Sequence, residues 1–129
     1  MTLLAAAAGG AIGAGGRYLL TGWAERLLSD WLGGGIPYGT LAVNVIGSFL
    51  LGILVEILAL SLSVSPELRA LLVIGVLGGF TTFSAFSMDT VLLLERGELG
   101  RAALYVLLSV GLSVGCLFAG LRLMRLVLS

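Results

Sequence analysis

The sequence predicts an all-α integral membrane protein with four transmembrane helices per chain, the third of them broken at its centre. Hydrophobic residues make up 59% of the 129 residues, charged residues only 11%, and the mean hydropathy is +1.16. A soluble domain of this length cannot bury so much apolar surface. Four apolar segments each reach the length of about 20 residues that crosses a bilayer as a helix. We therefore expect residues 1–129 to form a single four-helix transmembrane domain.

Short polar connections separate the four predicted spans. The spans run roughly from Leu3 to Leu28, Tyr38 to Leu60, Leu68 to Leu94 and Leu99 to Leu126. No Lys or Arg precedes the apolar part of the first span, which favours a retained helix over a cleaved signal peptide. The glycine-rich stretch Asp30–Pro37 and the charged stretch Glu95–Gly100 are typical of loops. Ahead of the third span, Ser65, Pro66 and Glu67 predict a helix start that the serine caps.

The charged residues give little instruction about orientation in the membrane. Seven arginines balance seven acidic residues, and the chain has no lysine and no histidine. The predicted side with both termini carries Arg69, Arg122 and Arg125, and the opposite side carries Arg26, Arg96 and Arg101. This balance leaves two interpretations open, an antiparallel homodimer whose copies insert in opposite directions, or one orientation set by a subtler feature. Nothing basic is clustered, so we expect no nucleic-acid partner.

Polar residues form stripes inside two of the predicted spans. Thr40, Asn44 and Ser48 are spaced four apart in the second span, and Tyr105, Ser109 and Ser113 in the fourth. Residues four apart share one face of a helix. Serines often bond back to carbonyls of their own helix. Two aligned stripes with a membrane-embedded asparagine nevertheless favour a polar path, because the amide NH₂ can donate to an anion.

Arg17 is the one charged residue near the centre of a predicted span. No Asp, Glu, Lys or His occupies the central part of any span, although a proton-coupled pump normally needs such a relay. An arginine does not lose its proton in proteins. Arg17 is therefore either an anchor that reaches towards the interface or a fixed positive charge at a pore mouth that concentrates anions.

The stretch GGFTTFSAF (Gly78–Phe86) predicts a break in the third span. Its two glycines let the backbone leave the helix at low cost, and its threonines can satisfy the groups that are freed. Irregular backbone at membrane depth persists only inside protein or along a wet cavity, where freed carbonyls are cation ligands. Phe83 and Phe86 lie on one face of the helix that resumes. Their positive ring edges could hold an anion, and core packing is the alternative interpretation.

Three segments in order resemble the Fluc/CrcB family of fluoride channels. They are GGAIGAGGRY (Gly9–Tyr18), GTLAVNVIGSFLLG (Gly39–Gly52) and GGFTTFSAF (Gly78–Phe86), and they fall on three successive spans. The resemblance covers essentially the whole chain. It implies an antiparallel, dual-topology homodimer, multi-pass in the cytoplasmic (inner) membrane, that exports fluoride passively and lowers its toxicity. The implied partners are a second copy of the chain, the fluoride ion and membrane lipid, and the chain is not expected to be an enzyme.

The resemblance also assigns roles to residues. It implies an anion pathway lined by Asn44, Phe83, Ser84, Phe86, Tyr105, Ser109 and Ser113. Arg17 takes the position of the family's vestibule arginine. A structural Na⁺ at the dimer interface would be held by the main-chain carbonyls of Gly78 and Thr81 from both copies.

Two other functions compete with the channel. A small multidrug/proton antiporter is also a four-span antiparallel dimer, but it needs a membrane-embedded carboxylate, and the first acid in the first span is Glu25 near its end. A membrane subunit that only scaffolds partners would transport nothing. The sequence shows no nucleophile–base pair, metal cluster or phosphate-binding loop that would favour an enzyme.

Overall fold

The structure is a computed structural model that describes residues 1–60 and 64–128. Its elements in chain order are α1 (Thr2–Leu32), α2 (Tyr38–Leu60), α3 (Pro66–Arg69), a π-helical segment (Ala70–Leu77), α4 (Gly78–Phe80), α5 (Phe83–Glu95) and α6 (Leu99–Leu128). Within these residues every regular element is a helix. The helical stretches long and apolar enough to cross a membrane are Thr2–Leu32, Tyr38–Leu60, Pro66–Glu95 and Leu99–Leu128, called here the first to fourth spans. The prediction of an all-α chain with four membrane-capable helices is confirmed.

Most helix ends lie close to their predicted positions, and one does not. The first span continues to Leu32, so the prediction that a loop begins at Asp30 was wrong. Asp30 is exposed on the last turn, so an acid there does not interrupt the helix. The helix ends at Gly33, whose φ of 84° lies in the left-handed region that favours glycine. The capped start of the third span is confirmed, because the Leu68 N–H donates to Ser65 Oγ at 3.1 Å.

The first span packs against the first half of the third span through glycines. A methyl group at Gly9 would collide with the Leu71 carbonyl, and one at Gly13 would collide with the Val76 carbonyl. From the other side, a methyl group at Gly75 would lie 2.7 Å from the Gly9 Cα. In membranes, where lipid tails are as apolar as the helices, small residues allow the close backbone contact that holds helices together. This contact places the middle of the first span beside the centre of the third.

The second span packs in the same way against the fourth. A methyl group at Gly52 would collide with the Leu117 carbonyl, and one at Gly120 with the Phe49 carbonyl. Near the end of this contact Arg125 donates two hydrogen bonds to the Glu56 carboxylate, each 3.3 Å long. By contrast, Gly111 and Gly115 on the fourth span have open space where their Cβ atoms would be. Glycines therefore make the close contacts within each of the two pairs of spans, while the glycine stripe of Gly111 and Gly115 faces outwards.

The third span is irregular along its length. Ala70–Leu77 has the wider π-helical spiral, which leads directly into the short helix Gly78–Phe80. Such segments are rare and are frequently found next to functional sites. The chain after Phe80 is extended for two residues before the helix resumes at Phe83.

We expect Gly13→Ala to lower the free energy of unfolding by about 1–3 kcal/mol, because the added methyl group overpacks a backbone contact. The measurement is a denaturant titration of the purified protein in detergent, followed by circular dichroism. Gly15→Ala is the matched control on the same helix, since the Cβ there meets nothing within 4 Å. It should leave the free energy of unfolding unchanged or raise it by up to about 1 kcal/mol, because alanine is the better helix former. Equal stabilities for the two variants would contradict this account of the packing.

Candidate functional site

Two residues of extended backbone interrupt the third span near its midpoint. Thr81 has φ −84° and ψ 157°, and Thr82 has φ −151° and ψ 120°. A helix bonds each N–H to the carbonyl four residues earlier, so two extended residues break several of these bonds at once. In hydrocarbon each freed group costs several kcal/mol unless it finds another partner. The side chains around the break therefore have to supply these partners.

Asn44 on the second span holds the break with both ends of its amide. Its Oδ1 accepts the Thr82 N–H at 2.8 Å, and its Nδ2 donates to the Thr82 carbonyl at 2.9 Å. One N–H of the amide is left over, since an amide NH₂ has two. The contact is close because Gly47, one turn further along, lies against the Thr81 side chain, where a Cβ would collide with Cγ2. Asn44 thus fixes the backbone of the break as well as facing the cavity described below.

Thr82 starts the helix that follows the break. Its Oγ1 accepts the Ala85 N–H at 3.1 Å, which is the usual arrangement of an N-cap threonine. The Ser84 Oγ lies 3.3 Å from the same oxygen. Asn44, Thr82 and the first turn of α5 therefore form one connected hydrogen-bond chain, and Ser84 extends it to the exposed side.

Arg17 reaches the break from the first span. Its Nε donates to the Gly79 carbonyl at 3.1 Å, and the residue is half-buried. In a continuous helix that carbonyl would accept the N–H of Phe83, which lies beyond the break. Because Gly79 lies near the centre of the third span, Arg17 contacts that span close to its midpoint.

The carbonyls of Gly78 and Thr81 lose the donors that a helix would give them. The Thr82 N–H, four residues after Gly78, donates to Asn44 instead. The Ala85 N–H, four residues after Thr81, donates to the Thr82 hydroxyl instead. Gly78 is exposed on the surface of the chain. The Gly78 and Thr81 carbonyls therefore lack the donors that they would have in a continuous helix.

A cavity of about 320 Å³ lies between the break and the second and fourth spans. Its polar or glycine lining residues are Asn44, Gly47, Ser48, Gly78, Thr81, Thr82, Ser109 and Ser113, and its aromatic ones are Phe83 and Phe86. The remaining lining residues are aliphatic. No lining residue in the described part of the chain carries a charge. Of the predicted pathway residues, five line this cavity directly, namely Asn44, Phe83, Phe86, Ser109 and Ser113.

The serines of the fourth span differ from the other hydroxyls near the cavity. Thr81, Ser87 and Thr90 bond back to carbonyls four residues earlier, at 3.1, 3.0 and 2.8 Å. The Oγ atoms of Ser109 and Ser113 are buried, and within residues 1–60 and 64–128 they have no hydrogen-bond partner. A buried hydroxyl without a partner is costly. Both serines line the cavity, and Ser109 also lies beside the buried Tyr105 hydroxyl.

Three aromatic rings follow one another from the cavity towards the fourth span. The Phe83 and Phe86 centroids are 5.5 Å apart with an interplanar angle of 48°, and those of Phe86 and Tyr105 are 5.3 Å apart at 41°. Phe83 is 78% exposed, so it is not a core residue of the single chain. Tyr105 is fully buried, outside the cavity lining, and its hydroxyl donates to Asp89 Oδ2 at 3.2 Å. The three rings thus lead from the cavity to the hydrogen bond between Tyr105 and Asp89.

Most of the chain matches a known family. The family model described as CrcB-like protein, camphor resistance (CrcB), matches residues 4–121. The chain belongs to the CrcB-like family. It is 56% identical over 119 residues to a protein of Agrobacterium fabrum (strain C58) named fluoride-specific ion channel FluC. This alignment covers 92% of each of the two chains. A protein of the same name from Rhodospirillum centenum is 56% identical, and the alignment covers 95% of this chain and 94% of the relative. Another of that name, from Chelativorans sp., is 57% identical, and the alignment covers 93% of each chain.

The comparisons confirm the family resemblance drawn from the three motifs. This CrcB-like chain, with its four membrane-capable helices, is a multi-pass membrane protein. The prediction that the threonine hydroxyls satisfy backbone groups at the break is confirmed, since Thr82 Oγ1 accepts the Ala85 N–H and Thr81 Oγ1 donates to the Leu77 carbonyl; sequence reasoning did not predict that Thr82 would be the N-cap of the helix that resumes. It also missed Asp89 as the partner of Tyr105, and no local pattern could have revealed a contact between residues 16 positions apart.

For this CrcB-like chain we expect Asn44→Ala to speed hydrogen exchange at the Thr82 amide, because the variant removes its acceptor. Exchange is measured by mass spectrometry on peptides that contain residues 80–85, with protein in detergent. Leaving a buried backbone group unpaired costs about 1–3 kcal/mol. The exchange rate of the Thr82 amide should therefore rise by roughly tenfold or more.

Ser48→Ala is the control for this measurement. Ser48 lines the same cavity one turn later, and its substitution should leave exchange at Thr82 unchanged. An Asn44→Ala protein that exchanges at the rate of the Ser48→Ala protein would remove Asn44 from its role at the break.

Proposed function

We propose that this protein is a passive fluoride channel that exports fluoride across the cytoplasmic membrane. The named relatives, about 56% identical over nearly the whole chain, support this function. The structural observation that carries it is the uncharged cavity, which is lined by the buried hydroxyls of Ser109 and Ser113. Neutral donors suit a small, strongly hydrated anion, since a full positive charge beside the path would bind it too tightly for release.

The proposed path uses hydroxyls, one amide and ring edges as successive ligands. The hydroxyls of Ser109 and Ser113 and the second N–H of Asn44 can donate to the anion in place of its water. The tilted rings of Phe83 and Phe86 offer the partly positive edges that an aromatic ring carries. Each ligand replaces part of the hydration shell, so no single step strips the ion. Transport then needs only the fluoride gradient.

We propose that two copies assemble as an antiparallel, dual-topology homodimer. One chain leaves Phe83 exposed beside the break and Gly78 exposed with a carbonyl that lacks its helical donor. Lipid cannot satisfy such a carbonyl, so a protein surface or a wet cavity has to cover it. The outward glycine stripe of Gly111 and Gly115 is open to close contact with another helix. The balance of three arginines on each side favours insertion in both directions.

A structural Na⁺ fits the centre of such a dimer. Freed main-chain carbonyls at a helix break are typical sodium ligands in membrane proteins. The Gly78 and Thr81 carbonyls have both lost their helical donors, and the Gly79 carbonyl between them in sequence is occupied by Arg17. Two copies would together offer four carbonyl oxygens. A bound Na⁺ would hold the third-span carbonyls of the two copies together.

A proton-coupled multidrug antiporter is not favoured. Its carboxylate would have to be free to exchange a proton, whereas the Glu25 carboxylate accepts the Gly39 N–H at 2.8 Å and the Ser29 hydroxyl at 3.2 Å. Glu25 thereby ties the first span to the start of the second, which is a structural use of the acid.

The direct test is purified protein in liposomes loaded with fluoride and chloride, with each halide followed by an electrode. We expect rapid fluoride efflux, chloride retained, and no requirement for a proton gradient. Protein-free liposomes are the control. Equal efflux of the two halides would contradict fluoride selectivity, and absence of any flux would contradict a channel. Proton release on addition of a cationic drug would support the antiporter instead.

We expect Phe83→Ile to reduce fluoride efflux roughly two- to tenfold, because isoleucine has no positive ring edge to offer the ion. Phe118→Ile is the matched control, since Phe118 is also an exposed phenylalanine but lies outside the cavity, beneath Arg122 at 5.2 Å. Size-exclusion chromatography checks that both variants assemble as the wild type does. If Phe83→Ile conducts as well as Phe118→Ile, the ring has only a packing role.

A further inference from the structure

A second cavity lies where the connection between the first two spans meets the third. It has a volume of about 330 Å³, and three of the spans contribute to its lining together with this connection. Its polar and charged lining residues are Thr21, Glu25, Thr40, Asp89 and Arg96. Tyr105 lies between this cavity and the uncharged one, because its hydroxyl donates to Asp89 while its ring packs on Phe86.

Residues 33–36, called here the lid, connect the first span to the second and form part of the wall of the second cavity. Three exposed glycines lead to Ile36, which is only 8% exposed. Ile36 packs in one apolar cluster with Leu93 of the third span and with Ala102 and Tyr105 of the fourth. The lid therefore inserts its one large side chain between two spans and covers the fully buried Tyr105.

Few contacts hold the lid in this position. Its backbone hydrogen bonds are local, from the Gly33 N–H to the Ser29 carbonyl and from the Tyr38 N–H to the Ile36 carbonyl, each 2.9 Å long. Among the described residues, no hydrogen bond joins the lid to the third or fourth span. Apart from Ile36, the fourth span touches the lid through the Arg101 guanidinium, whose Cζ would lie 2.7 Å from a Cβ at Gly35.

The lid has glycine hinges and a fixed end. Gly33 and Gly35 have φ angles of 84° and 101°, and glycine enters and leaves such conformations at low cost. Beyond the lid, the Glu25 carboxylate accepts the Gly39 N–H at 2.8 Å, and a methyl group at Gly39 would collide with the Thr21 carbonyl. The start of the second span is therefore held against the first, and movement is confined to the four residues between them.

We propose that residues 33–36 are a gate, in which Ile36 closes one end of the anion path when it packs against Tyr105 and opens that end when it swings out. The inference rests on the proposed channel function, since it concerns access to the path. Apolar constrictions gate channels by excluding water, and isoleucine offers no ligand to a hydrated anion. One side chain then sets the balance between a closed and an open position of the lid.

The test is single-channel recording of fluoride current in planar bilayers, which separates the time spent open from the current that flows when the channel is open. We expect Ile36→Ala to raise the ratio of open to closed time by about tenfold, because it removes most of the apolar surface that holds the lid shut. Leu58→Ala is the matched control, since Leu58 is 5% exposed and lies near the far end of the second span, away from the lid. It should leave the ratio unchanged.

Arg101→Gln tests the lid without disturbing the apolar cluster. Arg101 is exposed and covers Gly35, so its loss should raise the ratio of open to closed time by about threefold relative to Arg69→Gln. Arg69→Gln is the control because it removes an exposed arginine that lines neither cavity. A change confined to the open-channel current would make Arg101 a charge near the path and not a part of the gate.

Three results would overturn the gate. They are a wild type without closed periods, an Ile36→Ala channel with the closed periods of Leu58→Ala, and, should Ile36→Ala fail to assemble, an Arg101→Gln channel with those of Arg69→Gln. A wild type that carries no fluoride current at all would instead overturn the channel itself. Damage to the fold shortens open periods or abolishes current, so a gain in open time is a result that a merely structural role for Ile36 does not produce.

Discussion

The structure depends on satisfying the backbone groups that the interrupted third span releases at membrane depth. A continuous helix bonds all its own N–H and carbonyl groups, and lipid offers no substitute. Here Asn44 pairs with both backbone groups of Thr82, and Arg17 pairs with the Gly79 carbonyl. Two neighbouring spans thus supply what the broken helix cannot. The carbonyls of Gly78 and Thr81 lose their helical donors, because the Thr82 N–H donates to Asn44 and the Ala85 N–H to the Thr82 hydroxyl.

The glycine contacts between spans follow from the same requirement. Arg17 can reach Gly79 only because Gly9 and Gly13 bring the first span against the backbone of the third. Asn44 can reach Thr82 only because Gly47 leaves room for the Thr81 side chain. In a soluble protein such glycines would weaken their helices by roughly 0.5–1 kcal/mol each. In this chain they set the distances between the spans, and the hydrogen bonds of Arg17 and Asn44 depend on those distances.

The sequence predicts the spans well because hydropathy and length decide them. The second span begins and ends at Tyr38 and Leu60 as predicted, and the Ser65 cap follows from local rules. Asp30 misled the loop prediction, because an exposed acid on the last turn of a long helix resembles a loop residue. The family followed from motifs on three spans. The partners of Asn44 and Arg17 lie 38 and 62 residues away, and no periodicity encodes which carbonyl they meet.

The arrangement of charge around the break keeps Arg17 outside the lining of the uncharged cavity. Arg17 lies on the first-span side, where its Nε is bonded to Gly79, while the cavity lined by Ser109 and Ser113 lies towards the second and fourth spans and carries no charged lining residue. A guanidinium inside that cavity would hold a fluoride ion strongly, since Coulomb attraction grows as the local dielectric falls. Under the proposed function, the same charge on the other side of the backbone would attract anions without becoming a ligand of the path. The neutral donors then need only match the hydration that the ion gives up, which is the condition for fast release.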